Sequence, residues 1–250
     1  NKPNHSNDAN SDSKFDKIIG SISSHYDGFL RPYVLLERGN LAEMLQRITR
    51  EEEAAIEALA RAAGSESVDE GFVVTREVVN EAGVLHSSTS MFVFIKNMIT
   101  RCTTLTTGQT FLLLSKEFKV TLLGYIDWLA KKLPLPVTNS STHSAIYHLK
   151  GLMSCQELCH VVNTCEYCAE VAPTLASMIK AKIDIKYRDD VELEQETEAF
   201  LDLSARAAKA LVGGLVGLLE PGFKQMISVN WSTLADVGEE SSYLYRWQAV

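Results

Sequence analysis

The sequence contains no recognisable catalytic motif. It has no GxSxG elbow, no HExxH pair, no Walker loop and no GxGxxG turn. That removes the common signatures of acyl transfer, zinc proteolysis, phosphate cradling and dinucleotide binding. Long apolar runs are also missing. The longest, Ala210 to Leu219, is flanked by Lys209 and Glu220 and is about half of the roughly 20 residues a membrane-spanning helix needs. There is no basic excess: the net charge is −8, with acidic residues spread along the chain. Nucleic acid wants a basic stripe and anionic lipid a polybasic patch, so both are disfavoured as partners. The chain starts without methionine on NKPNHSNDANSDS and ends on YLYRWQAV, which reads as an excerpt from a longer protein.

What is present is helix-forming, apolar-periodic sequence. The 250 residues are 46% hydrophobic and 22% charged, enough for a sizeable core. Residues 1–12 read as a disordered N-terminal tract. A helix is expected from Ser13, where Phe15, Ile18, Ile19, Ile22 and Tyr26 recur every three or four residues, with Pro32 kinking or ending it. Gly39-Asn40 reads as a stop followed by an N-cap, with a new helix over Leu41–Ala63. Residues 64–71 read as a loop and 72–79 as an irregular segment. Helices follow over Ser88–Leu105 and Gln109–Leu133, separated by a Thr107-Gly108 turn. The proline-rich stretch of 133–144 reads as a loop. A cysteine-bearing helix over Ser154–Asp184 is expected to kink or break at Pro173. A long helix over Val191–Leu219 is expected to stop at Glu220-Pro221-Gly222, before a shorter piece over Phe223–Ser228. Trp231–Ser241 reads as a turn-rich connector, with a last helix from Ser242. The fold class is therefore all-α, an elongated stack of antiparallel helical bundles. Its expected division is 13–133 as a first bundle, 134–152 as a loop and 153–250 as a second bundle.

Four of the five cysteines fall within GLMSCQELCHVVNTCEYCAEV, as Cys155, Cys159, Cys165 and Cys168, spaced C-x3-C-x5-C-x2-C. That density raises a metal-binding or redox reading. Zinc needs four ligand atoms around one point, and zinc-binding chains usually loop back between paired cysteines. HVVNT between Cys159 and Cys165 has no Gly or Pro to make such a loop. On a helix the four fall at about 0°, 40°, 280° and 220°, and the outer two sit about 20 Å apart. A half-site on Cys155 and Cys159, completed by His143 or His148, stays open. The competing reading is that the cysteines are small packing residues. No other side chains form a defensible site. Glu51-Glu52-Glu53 reads as a solvated helix face, Glu117 and Asp127 form no acid–base pair, and His160 reads as a packing or surface residue. Gly213, Gly214 and Gly217 read as small residues that let helices approach. Trp231, Tyr243, Tyr245 and Trp247 concentrate aromatics near the C-terminus. No catalytic, cofactor-binding or metal residue is expected, no cofactor is expected, and no partner-binding residue can be named.

Several segments, in order, match a family pattern. YVLLERGNLAEMLQR (33–47) carries a Tyr, Glu, Asn-Leu pattern. LTTGQTFLLLSKEFKVTLLGYIDWL (105–129) carries a Leu-Thr-Thr-Gly turn leading into a helix. ELCHVVNTCEYCAEVAPTLASMIKAKID (157–184) carries ELC and EYC, and MISVNWSTLADVGEESSYL (226–244) a Met, Trp, Val-Gly, Ser-Tyr pattern. Together they resemble the vacuolar protein sorting-associated protein 53 family, subunits of the Golgi-associated retrograde protein (GARP) tethering complex. The resemblance covers most of residues 13–245. It implies a non-catalytic helical rod from the middle and later part of the subunit. It implies action in retrograde transport from endosomes to the trans-Golgi network and in endosomal recycling. Implied partners are the vacuolar protein sorting 51, 52 and 54 type subunits, with SNAREs and small GTPases as further candidates. Membrane contact would be peripheral and indirect, on the cytosolic face of the trans-Golgi network and endosomes.

Overall fold

The computed structural model describes residues 26–63, 78–138, 145–147, 152–229 and 244. Its framework is five α-helices packed antiparallel. They are α1 (Arg31–Ala63), α2 (His86–Leu105), α3 (Gln109–Ala130), α4 (Leu152–Lys182) and α5 (Glu194–Ser228). Short 3-10 turns at Asp27–Phe29 and Ile185–Asp190 precede α1 and α5. α1 packs on α2 and α3, α4 packs on α2 and most extensively on α5, and α3 also touches α5. One apolar core runs through all five helices, from Leu41 on α1 to Ala210 on α5. Its largest fully buried side chains include Phe92, Phe111, Phe118, Tyr125 and Phe200. Burial of a large apolar side chain of this kind stabilises by about 1.5–3 kcal/mol.

The helices are longer than punctuation residues suggested. α1 runs unbroken through Gly39 and Asn40. Asn40 does not cap a new helix, because its amide donates to Glu37 Oε2 at 2.8 Å within the same helix. Pro32 lies in the first turn of α1, where a missing N–H costs nothing, so it opens a helix rather than ending one. α4 continues through Pro173, which is exposed, and Ser177 Oγ donates to the Pro173 carbonyl at 2.9 Å. α5 likewise continues through Pro221 to Ser228. At Pro173 the helix on each side is packed, which outweighs one lost hydrogen bond, whereas the short stretch of α5 after Pro221 is mostly exposed.

The expected loop after α3 holds a small hairpin. β1 (Pro136–Thr138) pairs antiparallel with β2 (Ala145–Tyr147), Val137 opposite Ile146, and β2 packs on α5. β-Branched and aromatic residues favour that pairing, and Pro136 takes the first position of its strand. The expectations for 1–25, 64–77, 139–144, 230–243 and 245–250 lie outside the described residues, as do His143, His148, Trp231, Tyr243, Tyr245 and Trp247.

The α2–α3 turn shows how local sequence becomes tertiary structure. α3 begins after Gly108, which offers no side-chain cap. The cap comes instead from Asp27, just ahead of α1. Its carboxylate accepts from Thr106 Oγ1 at 2.9 Å, Gln109 N at 3.0 Å and Thr110 Oγ1 at 2.8 Å. Negative charge at a helix N-terminus is favourable on both hydrogen-bonding and dipole grounds. A Cβ on Gly108 would collide with Asp27 Oδ2, so LTTGQT needs glycine for space. Asp27→Ala is expected to cost about 1–2 kcal/mol, the upper range for a lost cap. Gly108→Ala should cost a similar amount by expelling the same carboxylate. The double variant should lose less than the sum, because both changes empty one site. Chemical denaturation of the four proteins checks this, and strict additivity would contradict it.

Candidate functional site

The cysteine helix is continuous, and its four cysteines diverge. Cys155, Cys165 and Cys168 are buried, and Cys159 is exposed. All are free thiols, as is buried Cys102 on α2. Among the described residues, no group of three or more His, Cys, Asp or Glu is placed to hold a metal ion. Burial pushes the Cys165 thiol up to about 12, with the nearby Glu166 charge adding to the effect. Cys102 is likewise pushed up to about 12 by burial, and Cys168 is raised well above its usual range. Thiols held protonated at neutral pH are poor nucleophiles and poor metal ligands. Cys165 and Cys168 instead belong to the core shared with α2, where Phe92 meets Tyr167 edge-on at 6.1 Å.

The polar residues between the cysteines hold a neighbouring turn. Leu85 N donates to Thr164 Oγ1 at 3.0 Å, Asn163 Nδ2 donates to the Ala82 carbonyl at 3.1 Å, and His160 Nδ1 donates to the Gly83 carbonyl at 3.1 Å. Gly83 has φ of +72°, and a Cβ there would also lie 2.8 Å from Asn163 Nδ2. Asn80 Oδ1 closes the turn by accepting from Ala82 N and Val84 N, and Val79 bridges Leu85. His160, Asn163 and Thr164 therefore form a docking strip that feeds the chain into α2. The HVVNT stretch is the part of the cysteine segment with the clearest structural task.

A second polar cluster lies where α1 crosses the start of α2 and the end of α3. Glu52 is only 5% exposed, and its Oε2 accepts from Ser87 N at 2.8 Å. Ser87 Oγ and Tyr125 OH share a 2.7 Å hydrogen bond. Glu53 Oε1 accepts from Trp128 Nε1 at 2.7 Å, Trp128 stacks on Tyr125, and Lys132 Nζ sits 4.2 Å from the Trp128 ring centre. The acidic triplet is a solvated face only in part: Glu51 and Glu53 are exposed, but buried Glu52 caps α2 and Glu53 also holds α3. Glu37 plays a parallel part, 3% exposed and paired with Arg101 at 3.1 Å. Glu117 is held by Arg38 Nε at 2.8 Å, whereas Asp127 is exposed. Nothing in the local pattern of EEE distinguishes these roles, because they depend on which residues α2 and α3 present.

The recess between the start of α2 and α4 is small for a substrate. Lined by Ile56, Val78, Leu85, Lys132, Glu157 and His160, it encloses about 110 Å³. Ligand pockets usually span about 300–1,000 Å³. The Glu52 and Glu53 carboxylates face backbone and side-chain donors of the fold, whereas Glu37 and Arg101 line a wider, open recess of about 640 Å³. Their arrangement ties helices together and provides no nucleophile–base pair.

Burial pushes the Glu52 carboxyl above its ordinary range, opposed by its hydrogen bonds to Ser87 and by nearby His86 and Lys132. The folded chain therefore holds this proton more tightly than the unfolded chain does. The stabilising contribution of Glu52 is greatest in acid and falls as pH rises above the unfolded carboxylate range. Glu52→Gln keeps an acceptor for Ser87 N–H and removes the ionisation. The variant should gain on the natural protein as pH rises from about 4 to 7, a trend read from denaturation midpoints. A constant difference across that range would contradict it. Thiol labelling provides a separate check: Cys159 should react rapidly and the other four slowly. Rapid labelling of two or more core thiols in the native state would overturn the assignment.

No family model and no solved structure matches the chain. Curated relatives do. It is 32% identical over 230 residues to vacuolar protein sorting-associated protein 53 A of Arabidopsis thaliana, covering 90% of this chain and 25% of that relative. It is 23% identical over 242 residues to the vacuolar protein sorting-associated protein 53 homolog of Caenorhabditis elegans, covering 92% of this chain and 27% of that one. The chain thus spans about a quarter of the length of these relatives. An all-α framework accompanies that similarity, and the chain is homologous over nine-tenths of its length to a segment of vacuolar protein sorting-associated protein 53.

Proposed function

We propose that this chain is a non-catalytic segment of a vesicle-tethering subunit. It acts in retrograde transport from endosomes to the trans-Golgi network and in endosomal recycling. The observation that carries the reading is homology to vacuolar protein sorting-associated protein 53 along nearly the whole chain. The fold supports it: the buried carboxylates Glu37 and Glu52 are used for helix-to-helix ties, so stiffness is what this polar chemistry supplies. In this role the segment is a rod-like scaffold presenting surfaces to the other subunits of a GARP-type assembly, those of the vacuolar protein sorting 51, 52 and 54 types. SNAREs and small GTPases are further partners of the same surfaces. No helix among the described residues is long and apolar enough to cross a membrane, so membrane attachment in this reading is peripheral and runs through partners.

Affinity purification of the 250-residue chain from cells expressing the other subunits tests the reading. Recovery of at least one subunit, lost in a truncation that ends before Ser154, is expected. A folded chain that recovers none of them would overturn it. In scattering, the radius of gyration should exceed the roughly 18 Å of a compact 250-residue globule. A value at that limit would contradict the rod.

A further inference from the structure

A recess of about 390 Å³ opens between the C-terminal half of α4 and the chain that enters α5. Its floor is apolar, with Pro173 and Ala176 on one side and Val191 and Leu193 on the other. Val191 and Leu193 also belong to the common core, which holds the floor in place. The rim is charged. Glu192, Glu194 and Glu198 line it, against Lys180 alone. The three carboxylates are exposed, and among the described residues none has a hydrogen bond or an ion pair. Glu196 of the same acidic stretch does not join them, because it is buried and approaches Lys119 at 3.7 Å. The two hydroxyls of the lining are also acceptors only. Ser177 Oγ donates to the Pro173 carbonyl at 2.9 Å, and Thr197 Oγ1 to the Leu193 carbonyl at 2.7 Å. Their protons are thus held within the helices.

An apolar floor ringed by unpaired carboxylates calls for an occupant that is apolar at its tip and cationic beside it. A bare metal ion does not fit, because among the described residues no three carboxylates, thiols or imidazoles converge on one point. The positive end of α5 does not reverse this preference, since Glu194 and Glu196 already occupy its first turn. A second copy of the chain, with its net charge of −8, is disfavoured by repulsion. We propose that the recess docks a short basic segment of another subunit of the assembly. One apolar side chain sits on the floor, and flanking lysine or arginine pairs with Glu192, Glu194 and Glu198. The inference rests on the tethering reading and gives that reading one surface and the chemistry of what it binds.

The test purifies four forms of the 250-residue chain from cells expressing the vacuolar protein sorting 51, 52 and 54 type subunits. Glu192→Gln/Glu194→Gln/Glu198→Gln removes the rim charge at exposed positions. Ser177→Phe fills the recess from an exposed position and leaves the charge alone. Each should recover about 10-fold less of one subunit than the natural chain, with its helix content unchanged. Glu43→Gln/Glu51→Gln/Glu57→Gln removes the same charge from exposed positions on α1 and should recover as much as the natural chain. Undiminished recovery by either recess variant, or an equal loss in the α1 variant, would overturn the inference and leave the tethering reading standing. No recovery by the natural chain would overturn both.

Discussion

The fold depends on carboxylates supplied by one helical arm to the ends of two others. Asp27 caps α3, and Glu52 caps α2, although neither helix carries a side-chain cap at its own N-cap position. Exposed N–H groups at a helix start must find an acceptor, and a buried start without one is costly. Placing one acceptor just ahead of α1 and the other well along it makes that helix a spine. Glu37 to Arg101 and Arg38 to Glu117 fasten the same three helices between the caps, and Glu53 to Trp128 does so beside Glu52. Apolar burial drives the collapse, but these directional bonds fix register, since sliding α1 by one turn would break them together.

The α4–α5 half is attached by different means. Thr164, Asn163 and His160 grip the turn that leads into α2, and Cys165, Cys168 and Leu175 join the common core. Lys119 on α3 approaches buried Glu196 on α5 at 3.7 Å, a looser tie than the caps. Such an arrangement resists bending because each helix is long and its partners overlap along its length. That property suits the proposed scaffold role, in which the polar side chains of the described residues serve helix contacts.

Much of the architecture was legible in the sequence. Periodic apolar residues located α2 and α3 nearly to their ends, and helical geometry argued that four cysteines on one helix cannot converge. What misled was local punctuation. Gly39-Asn40, Pro173 and Pro221 read as breaks, yet each sits within a continuous helix, and at Pro173 the packed faces on both sides outweigh one weak position. The hairpin of 136–147 was hidden because its strands are only three residues long. The roles of Asp27 and Glu52 were invisible for a stricter reason: their partners lie 82 and 35 residues away, and no local pattern encodes that distance. The Leu-Thr-Thr-Gly turn, by contrast, stands out in the sequence as a pattern. Its Thr106 and Gly108 form part of the socket for Asp27.

If the carboxylates of α1 join three helices into one cooperative unit, α1, α2 and α3 should open together. Native-state hydrogen exchange across rising denaturant measures this most directly. The account predicts that the slowest amides of Met44, Ile95 and Phe118 converge on one opening free energy with one denaturant dependence. Opening of α2 or α3 at distinctly lower free energy, with α1 still protected, would contradict it.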